Sequence, residues 1–298
     1  MYIHDSLHVP VLVEEVIRAL QPQAGGIYVD GNLGLGGHAG AILTAGGPDC
    51  RLIGFDWDAD AQQRAQQNLA CFGDQVLFVR ENFAGLKDEL LKRNIAAVDG
   101  LLLDLGLSSL HLDESGRGFS FRRDEPLDMR MDTRQQVAAA DILASASEEE
   151  LADIFYLYGE ERQARPIARA IVQQRLREPI HTTKELALLV EKTIPRRFHP
   201  KKIHAATKVF QGLRIAVNSE LDNLVQVLAD GAGMLRPGGR FCVITFHSLE
   251  DRLVKRAFRD NPDLRPLTSK PVVAAAEEVA RNPRSRSAKM RVAERVGG

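Results

Sequence analysis

Over its first hundred residues the chain alternates short apolar runs with stretches of helical spacing, the pattern of parallel β/α units. Ile27–Asp30 reads as a first strand, followed by a glycine-rich turn and a helix to about Thr44. Arg51–Asp56 with Ala59–Leu69, and Val76–Arg80 with roughly Ala84–Arg93, read as two further strand–helix pairs. Val98–Leu103 is so apolar that it is expected at the centre of the sheet, covered on both faces. The rhythm then breaks. From about Ser109 to Ala205 the pattern gives helices and no convincing strand. Two of these helices open on capping boxes, Ser147-Glu-Glu-Glu150 and Thr182-Thr-Lys-Glu185, the latter stopped by Pro195. One long helix is expected from about Ala206 to Leu235, then Pro237-Gly-Gly239, a fifth strand Arg240–Phe246 and a helix Leu249–Arg259. The implied fold class is α/β. A doubly wound sheet domain, residues 1–108 and 206–298, is split by an all-helical insertion, residues 109–205.

Composition changes this picture little. The 298 residues suit one large or two modest domains, with ordinary hydrophobic and charged fractions of 44% and 27%. No run approaches the roughly 18 unbroken apolar residues of a membrane span, and Met1–Pro10 lacks a signal-peptide core. A cytoplasmic protein without a membrane partner is therefore expected. Cys50, Cys71 and Cys242 are odd in number and form no CxxC pair, which argues against a disulfide framework and structural zinc; they read as buried thiols. No metal is called for.

A net charge of −1 excludes a global basic field, but local charge is uneven. Arg281, Arg284, Arg286, Lys289, Arg291 and Arg295 face a lone acid, Glu294, and a second cluster joins Arg196, Arg197, Lys201 and Lys202. Each reads as a phosphate contact or as a solvated surface. Arg162, Arg165, Arg169 and Arg177 would share one face of an ideal helix, which Pro166 interrupts.

In an open parallel sheet, ligands sit beyond the carboxyl ends of the strands, where strand order reverses. The first such turn is Val29-Asp-Gly-Asn-Leu-Gly-Leu-Gly-Gly-His38. Its glycines let the backbone approach a ligand, and the helix after it offers N–H groups; a simple tight connection would use the same residues. Asp56 ends the second strand, 20 residues beyond Gly36, where a carboxylate accepts both hydrogens of a ribose diol or else caps the helix at Ala59. Asn82-Phe83 follows the third strand, where a side chain can flank an adenine, and Asp104 follows the fourth, beside the reactive end of a ligand. A dinucleotide dehydrogenase is the rival, since Gly34-x-Gly36-x-x-x-Gly40 imitates a phosphate-binding turn. It leaves the rest of the chain without a substrate domain of that type or an evident hydride-transfer histidine and acid.

Longer motifs run almost end to end: His8–Glu14, Gly36-Gly37-His38, Leu103-Asp-Leu-Gly-Leu-Ser-Ser109, Arg117-Gly-Phe-Ser-Phe121, Pro126-Leu-Asp-Met-Arg-Met-Asp132, Tyr158-Gly-Glu-Glu-Arg162, Phe210–Glu220, Phe246-His-Ser-Leu-Glu-Asp-Arg252 and Asn282–Ser287. On these the chain resembles the MraW family, the small-subunit ribosomal RNA methyltransferases H. The resemblance implies a Rossmann-like class I methyltransferase sheet and S-adenosylmethionine as cofactor. It implies methylation of the exocyclic N4 of one cytidine of 16S rRNA, near the decoding site of the small subunit. It maps cofactor contacts onto Gly36, Gly37, His38, Asp56, Phe83 and Asp104, and onto His111, where the family more often has glutamine.

Cytosine N4 is a poor nucleophile because its lone pair is delocalised into the ring. An acceptor on its N–H would localise that pair, and Asp104 is the best-placed carboxylate. Many amino-methyltransferases carry an aromatic four residues into this segment; Asp104-Leu-Gly-Leu-Ser-Ser109 does not. Phe119, Phe121 and His247 are alternatives for the base pocket, or are structural. The base itself must be unstacked, and the helical insertion is the natural RNA clamp.

Overall fold

The computed structural model describes residues 10–108, 110, 112 and 114–297. The chain divides into two compact units, one comprising the chain up to Ser108 and from Leu221 onward, the other Ser109–Glu220.

The first unit is built on one seven-stranded sheet: β1 Ile27–Asp30, β2 Arg51–Phe55, β3 Val76–Val79, β4 Val98–Asp104, β5 Leu235–Thr245, β6 Leu264–Pro266 and β7 Lys289–Arg295. Its order is β3-β2-β1-β4-β5-β7-β6. β1 to β5 are parallel and β7 runs antiparallel between β5 and β6. This is the class I methyltransferase arrangement, with the reversal of strand order between β1 and β4. Alternate side chains of each strand go to opposite cores. Leu101, Leu103, Phe241 and Val243 pack with helices α4 (Leu86–Lys92), α10 (Glu220–Met234) and α11 (Ser248–Asp260). Leu102, Cys242 and Ile244 pack with α1 (Val13–Leu20), α2 (Gly37–Gly46) and α3 (Ala59–Asn68). Because both faces are covered, the central strands read as continuous apolar runs.

The second unit is helical: α5 Ala139–Ser145, α6 Glu148–Asp153 continuing as a π-helical turn Ile154–Tyr158, α7 Ala164–Arg175, α8 Thr183–Thr193 and α9 Thr207–Asn218. Both expected capping boxes form. Ser147 Oγ accepts from Glu150 N at 3.2 Å while Glu150 Oε2 accepts from Ser147 N at 2.7 Å. Thr182 and Glu185 make the same exchange at 3.4 and 3.0 Å.

The structure corrects the sequence in five places. The single helix expected over Ala206–Leu235 is two, broken where Ser219 adopts a left-handed φ of 49°. Its first half, α9, belongs to the helical unit, which therefore ends at Glu220 rather than Ala205. The cause is close contact. A Cβ on Gly159 would lie 2.3 Å from Lys208 O, and one on Gly212 2.9 Å from Ile154 O, so these glycines let α9 lie against the π-turn. Lys208 Nζ and Gln211 Nε2 tie the same surfaces through Glu160 O and Tyr158 O at 2.7 and 3.0 Å.

Second, β6 and β7 were not foreseen. β7 hides in the basic tail, where Met290, Val292 and Ala293 are core and the charges between them have partners. Arg291 is buried with its Nε 2.6 Å from Asp251 Oδ1, Lys289 Nζ lies 3.6 Å from Asp251 Oδ2, and Arg295 donates to Gly233 O and Leu235 O. Third, the four arginines from Arg162 to Arg177 do not share a helix face, since α7 begins after Arg162 and ends before Arg177. Pro166 falls in its first turn, where a missing N–H costs nothing. Fourth, Asp56 does not cap α3; Asp58 does, accepting from Asp60 N and Ala61 N. Fifth, Cys71 is exposed, whereas Cys50 and Cys242 are buried, and burial pushes their thiols up to about 11 and about 12. Among the described residues no helix is long and apolar enough to cross a membrane.

Candidate active site

Each strand from β1 to β4 ends in, or is followed by, a polar side chain on the same rim. β1 ends at Asp30, whose carboxylate is 1% exposed and accepts from Asn32 N at 3.1 Å. Gly34 and Gly36 then take φ of +53° and +84°, values that exclude most side chains. The turn is pinned to the strands around it: Gly31 N donates to Leu102 O and Leu33 N to Phe55 O, both at 2.9 Å. Gly37 opens α2 against Pro10, whose Cγ would be 2.2 Å from a Cβ there. No side chain caps this helix start.

Asp56, just beyond β2, holds the turn closed. Its Oδ2 accepts from Gly34 N and its Oδ1 from Asp58 N, both at 2.9 Å. Asn82 follows β3 and accepts from Ala84 N through Oδ1 at 2.7 Å, with Phe83 buried beside it. A Cβ on Gly31 would lie 3.2 Å from Phe83 Cβ and 2.4 Å from Leu103 Cδ2, so β1, β3 and β4 converge here.

Asp104 closes β4 and meets α2. Its Oδ2 lies 3.4 Å from His38 Nε2, long for a hydrogen bond but within ion-pair range. His38 is itself buried. Burial opposes the imidazolium, but Asp104, with the charges of Asp30 and Glu278, outweighs it and raises the His38 pKa above its usual value. Burial pushes Asp30 up to about 6, with Asp104 adding to the rise and His38 and the Asn32 N–H opposing it. Asn32 Oδ1, His38 Nδ1, Asn82 Nδ2 and Asp104 Oδ1 are buried with no hydrogen-bond partner among the described residues. Buried polar atoms are rarely left so, and each marks a place where a ligand group would be welcome.

The rim thus brings together Gly36, Gly37, His38, Asp56, Phe83 and Asp104. His111 lies outside the described residues. Asp30 was missed; an acid at the end of an apolar strand was its only sequence signal. Of the three base-pocket alternatives, His247 lies at the same end of the sheet, as N-cap of α11 with Nε2 3.0 Å from Glu250 Oε1. Phe121 packs in the helical unit against His204 and Phe210 at ring distances of 4.8 and 4.9 Å, and Phe119 is buried beside Arg117.

A separate cavity of about 320 Å³ lies at the opposite, amino-terminal end of the strands. Its polar groups are matched to their own chain: Tyr28 accepts from Gln23 N, Asp99 from Ile27 N and Arg236, and Arg240 donates to Ala19 O.

The MraW methylase family model matches residues 5–296. The chain belongs to the MraW methylase family. Among its relatives, a ribosomal RNA small subunit methyltransferase H of Desulfotalea psychrophila is 57% identical over 98% of this chain and 99% of its own. Proteins of the same name from Trichormus variabilis and Syntrophus aciditrophicus are 51% and 47% identical, over 97% and 98% of this chain and 92% and 98% of theirs.

The motifs of this methylase now separate by task. Gly36–His38 and Asp104 lie on the rim. Arg117–Phe121, Pro126–Asp132 and Phe210–Glu220 knit the helical unit: Asn218, fully buried, donates to Met129 O and accepts from Met131 N at 2.8 Å each, and Arg117 donates to Arg130 O and Met131 O at 3.0 Å.

Proposed function

We propose that this methylase uses S-adenosylmethionine to methylate the exocyclic N4 of one cytidine of 16S rRNA, near the decoding site of the small ribosomal subunit, in the cytoplasm. The names of its relatives support the ribosomal substrate. The observation that carries the chemistry is Asp104 Oδ1, a buried carboxylate oxygen without a hydrogen-bond partner among the described residues, at the carboxyl end of the central strand.

The residues fit the cofactor. S-adenosylmethionine supplies an electrophilic methyl on a sulfonium. Its ammonium, diol and adenine amine are donors for Asn32 Oδ1 and the carboxylates, and its carboxylate and adenine nitrogens are acceptors for His38 and Asn82 Nδ2. Asp56 stands where a ribose diol would be held, Phe83 beside the adenine, and the backbone at Gly36 and Gly37 admits close approach. His111 joins this set by resemblance. Asp104 then has two roles: it helps seat the cofactor, and it accepts from the target N–H. That acceptance orients N4 in line with the methyl and stabilises positive charge on the amine as the bond forms.

The helical unit, Ser109–Glu220, is assigned to RNA recognition. Its exposed cluster Arg196, Arg197, Lys201 and Lys202 contacts phosphate. The basic tail contributes less than its sequence suggested, because Lys289, Arg291 and Arg295 are engaged within the sheet unit.

Mass spectrometry of 16S rRNA from cells lacking this protein tests the reading. One cytidine should lose a methyl group, restored by the wild-type chain and not by Asp104→Asn. An unchanged methylation pattern would refute the assigned substrate.

A further inference from the structure

Between Glu191 and Glu220 the helical unit has no acidic residue. Within that stretch the chain leaves α8 through Pro195 into a short 3₁₀ turn, Arg196–Phe198. The turn is fixed by its own hydrogen bonds: Phe198 N donates to Pro195 O at 2.8 Å, His199 N to Arg196 O at 3.1 Å, and the His199 ring lies 2.8 Å from Ile194 O. Fixed this way, it holds Phe198 outward with half of its surface exposed, 50%. The Arg197 guanidinium lies over that ring, 4.8 Å from the centroid. Among the described residues, Arg196, Arg197, Lys201 and Lys202 have no carboxylate partner, and Glu191, at the end of α8, faces His204 at 3.9 Å.

An exposed phenyl ring is costly in water, and four cations within four residues of it in sequence, without a carboxylate partner among the described residues, make a poor site for an apolar protein partner. They make a good one for a polyanion with open aromatic faces. We propose that Phe198 and Arg197 form a stacking platform for one unstacked base of a single-stranded RNA segment, whose phosphates are met by Arg196, Lys201 and Lys202. The ring and guanidinium stack on any base, while the cations follow the backbone. A duplex keeps its bases stacked on one another and cannot use the platform. The inference rests on the RNA reading given above and names the form of RNA that the helical unit takes.

The test uses the full-length chain, a labelled single-stranded oligouridine and a duplex of the same length, titrated over a range of KCl. Phe198→Ala should weaken single-strand binding by about 5- to 100-fold, the usual worth of one stacked base. The slope of affinity against salt should stay unchanged, because no charge is lost. Phe198→Trp should restore binding, and duplex affinity should not respond to either change. Lys201→Gln with Lys202→Gln should instead flatten the salt slope. Thermal melting should be unaltered in every variant, since Phe198, Lys201 and Lys202 are all exposed. The platform is overturned if Phe198→Ala binds like wild type, if the tryptophan fails to rescue, or if duplex binding falls in parallel. In those cases salt-dependent binding by the wild type leaves the RNA reading standing. If the wild type binds neither probe, both fall.

Discussion

Replacing Asp30 by asparagine should stabilise this protein at neutral pH and weaken its cofactor site. Asp30 is 1% exposed, and its carboxyl is raised from an ordinary 3.8 to about 6, chiefly by burial. A carboxyl whose pKa is higher in the folded state is more readily protonated there than in the unfolded chain. Its favourable contribution is therefore complete below pH 3.8 and lost as pH rises through about 6. At about 1.4 kcal/mol per pH unit, the displacement from 3.8 to about 6 is worth about 3 kcal/mol. Asparagine keeps an oxygen for the Asn32 N–H and is neutral at every pH. At pH 8, Asp30→Asn should raise the melting temperature of the cofactor-free protein by about 5 °C. At pH 4, where the wild-type carboxyl is already neutral, the two should melt together. The loss of a carboxylate should meanwhile weaken binding of the cationic cofactor, measured by calorimetry at pH 8. A melting temperature at pH 8 equal to or below wild type would refute the reasoning, since the buried charge would then not be the cost assigned to it.

Two further substitutions separate holding from chemistry. Asp56→Asn keeps an acceptor for Gly34 N or Asp58 N and should weaken cofactor binding by about 1–3 kcal/mol with the fold intact, whereas Asp56→Ala strands both N–H groups and should also lower the melting temperature; calorimetry showing unchanged affinity in Asp56→Asn would remove the ribose assignment. Asp104→Asn should lower the single-turnover rate of methyl transfer at saturating cofactor by about 2–4 kcal/mol, roughly 30- to 1000-fold. Full recovery of that rate at high cofactor would leave Asp104 as a binding residue only.

The sheet was legible because its central strands, buried on both sides, stand out as apolar runs between amphipathic helices. The rim was legible because a polar residue after each of four strands is hard to explain by packing. What escaped detection had physical reasons. β7 carries Lys289, Arg291 and Arg295 on a strand whose partners lie about 40 to 60 residues away, so its charges read as surface. The break between α9 and α10 depends on Ser219 adopting a left-handed φ, and on glycines 159 and 212 allowing close contact within the helical unit. Helical spacing alone runs straight through that point. Asp30 was missed because its meaning lies in its neighbours, His38 and Asp104, which come together only when β1 and β4 pair.

Those neighbours also bear on the rival reading of the glycine-rich turn. A dinucleotide places a pyrophosphate against such a turn, and the turn must then offer positive potential. Here the helix start is flanked by Asp30 and Asp104, both belonging to strands that end beside it, and the His38 imidazole lies against Asp104. When both carboxylates are ionised, the compensating charge that faces them among the described residues is that of His38. A second anion would be repelled at short range in a poorly solvated site, where such terms are larger than in water. A cation would be attracted, and its arrival would lower the cost of ionising Asp30. The same arithmetic that makes Asp30 destabilising in the free protein makes it favourable once a sulfonium is bound. A site that sets the buried Asp30 beside Asp104 in this way is complementary to a positively charged donor and poorly suited to NAD.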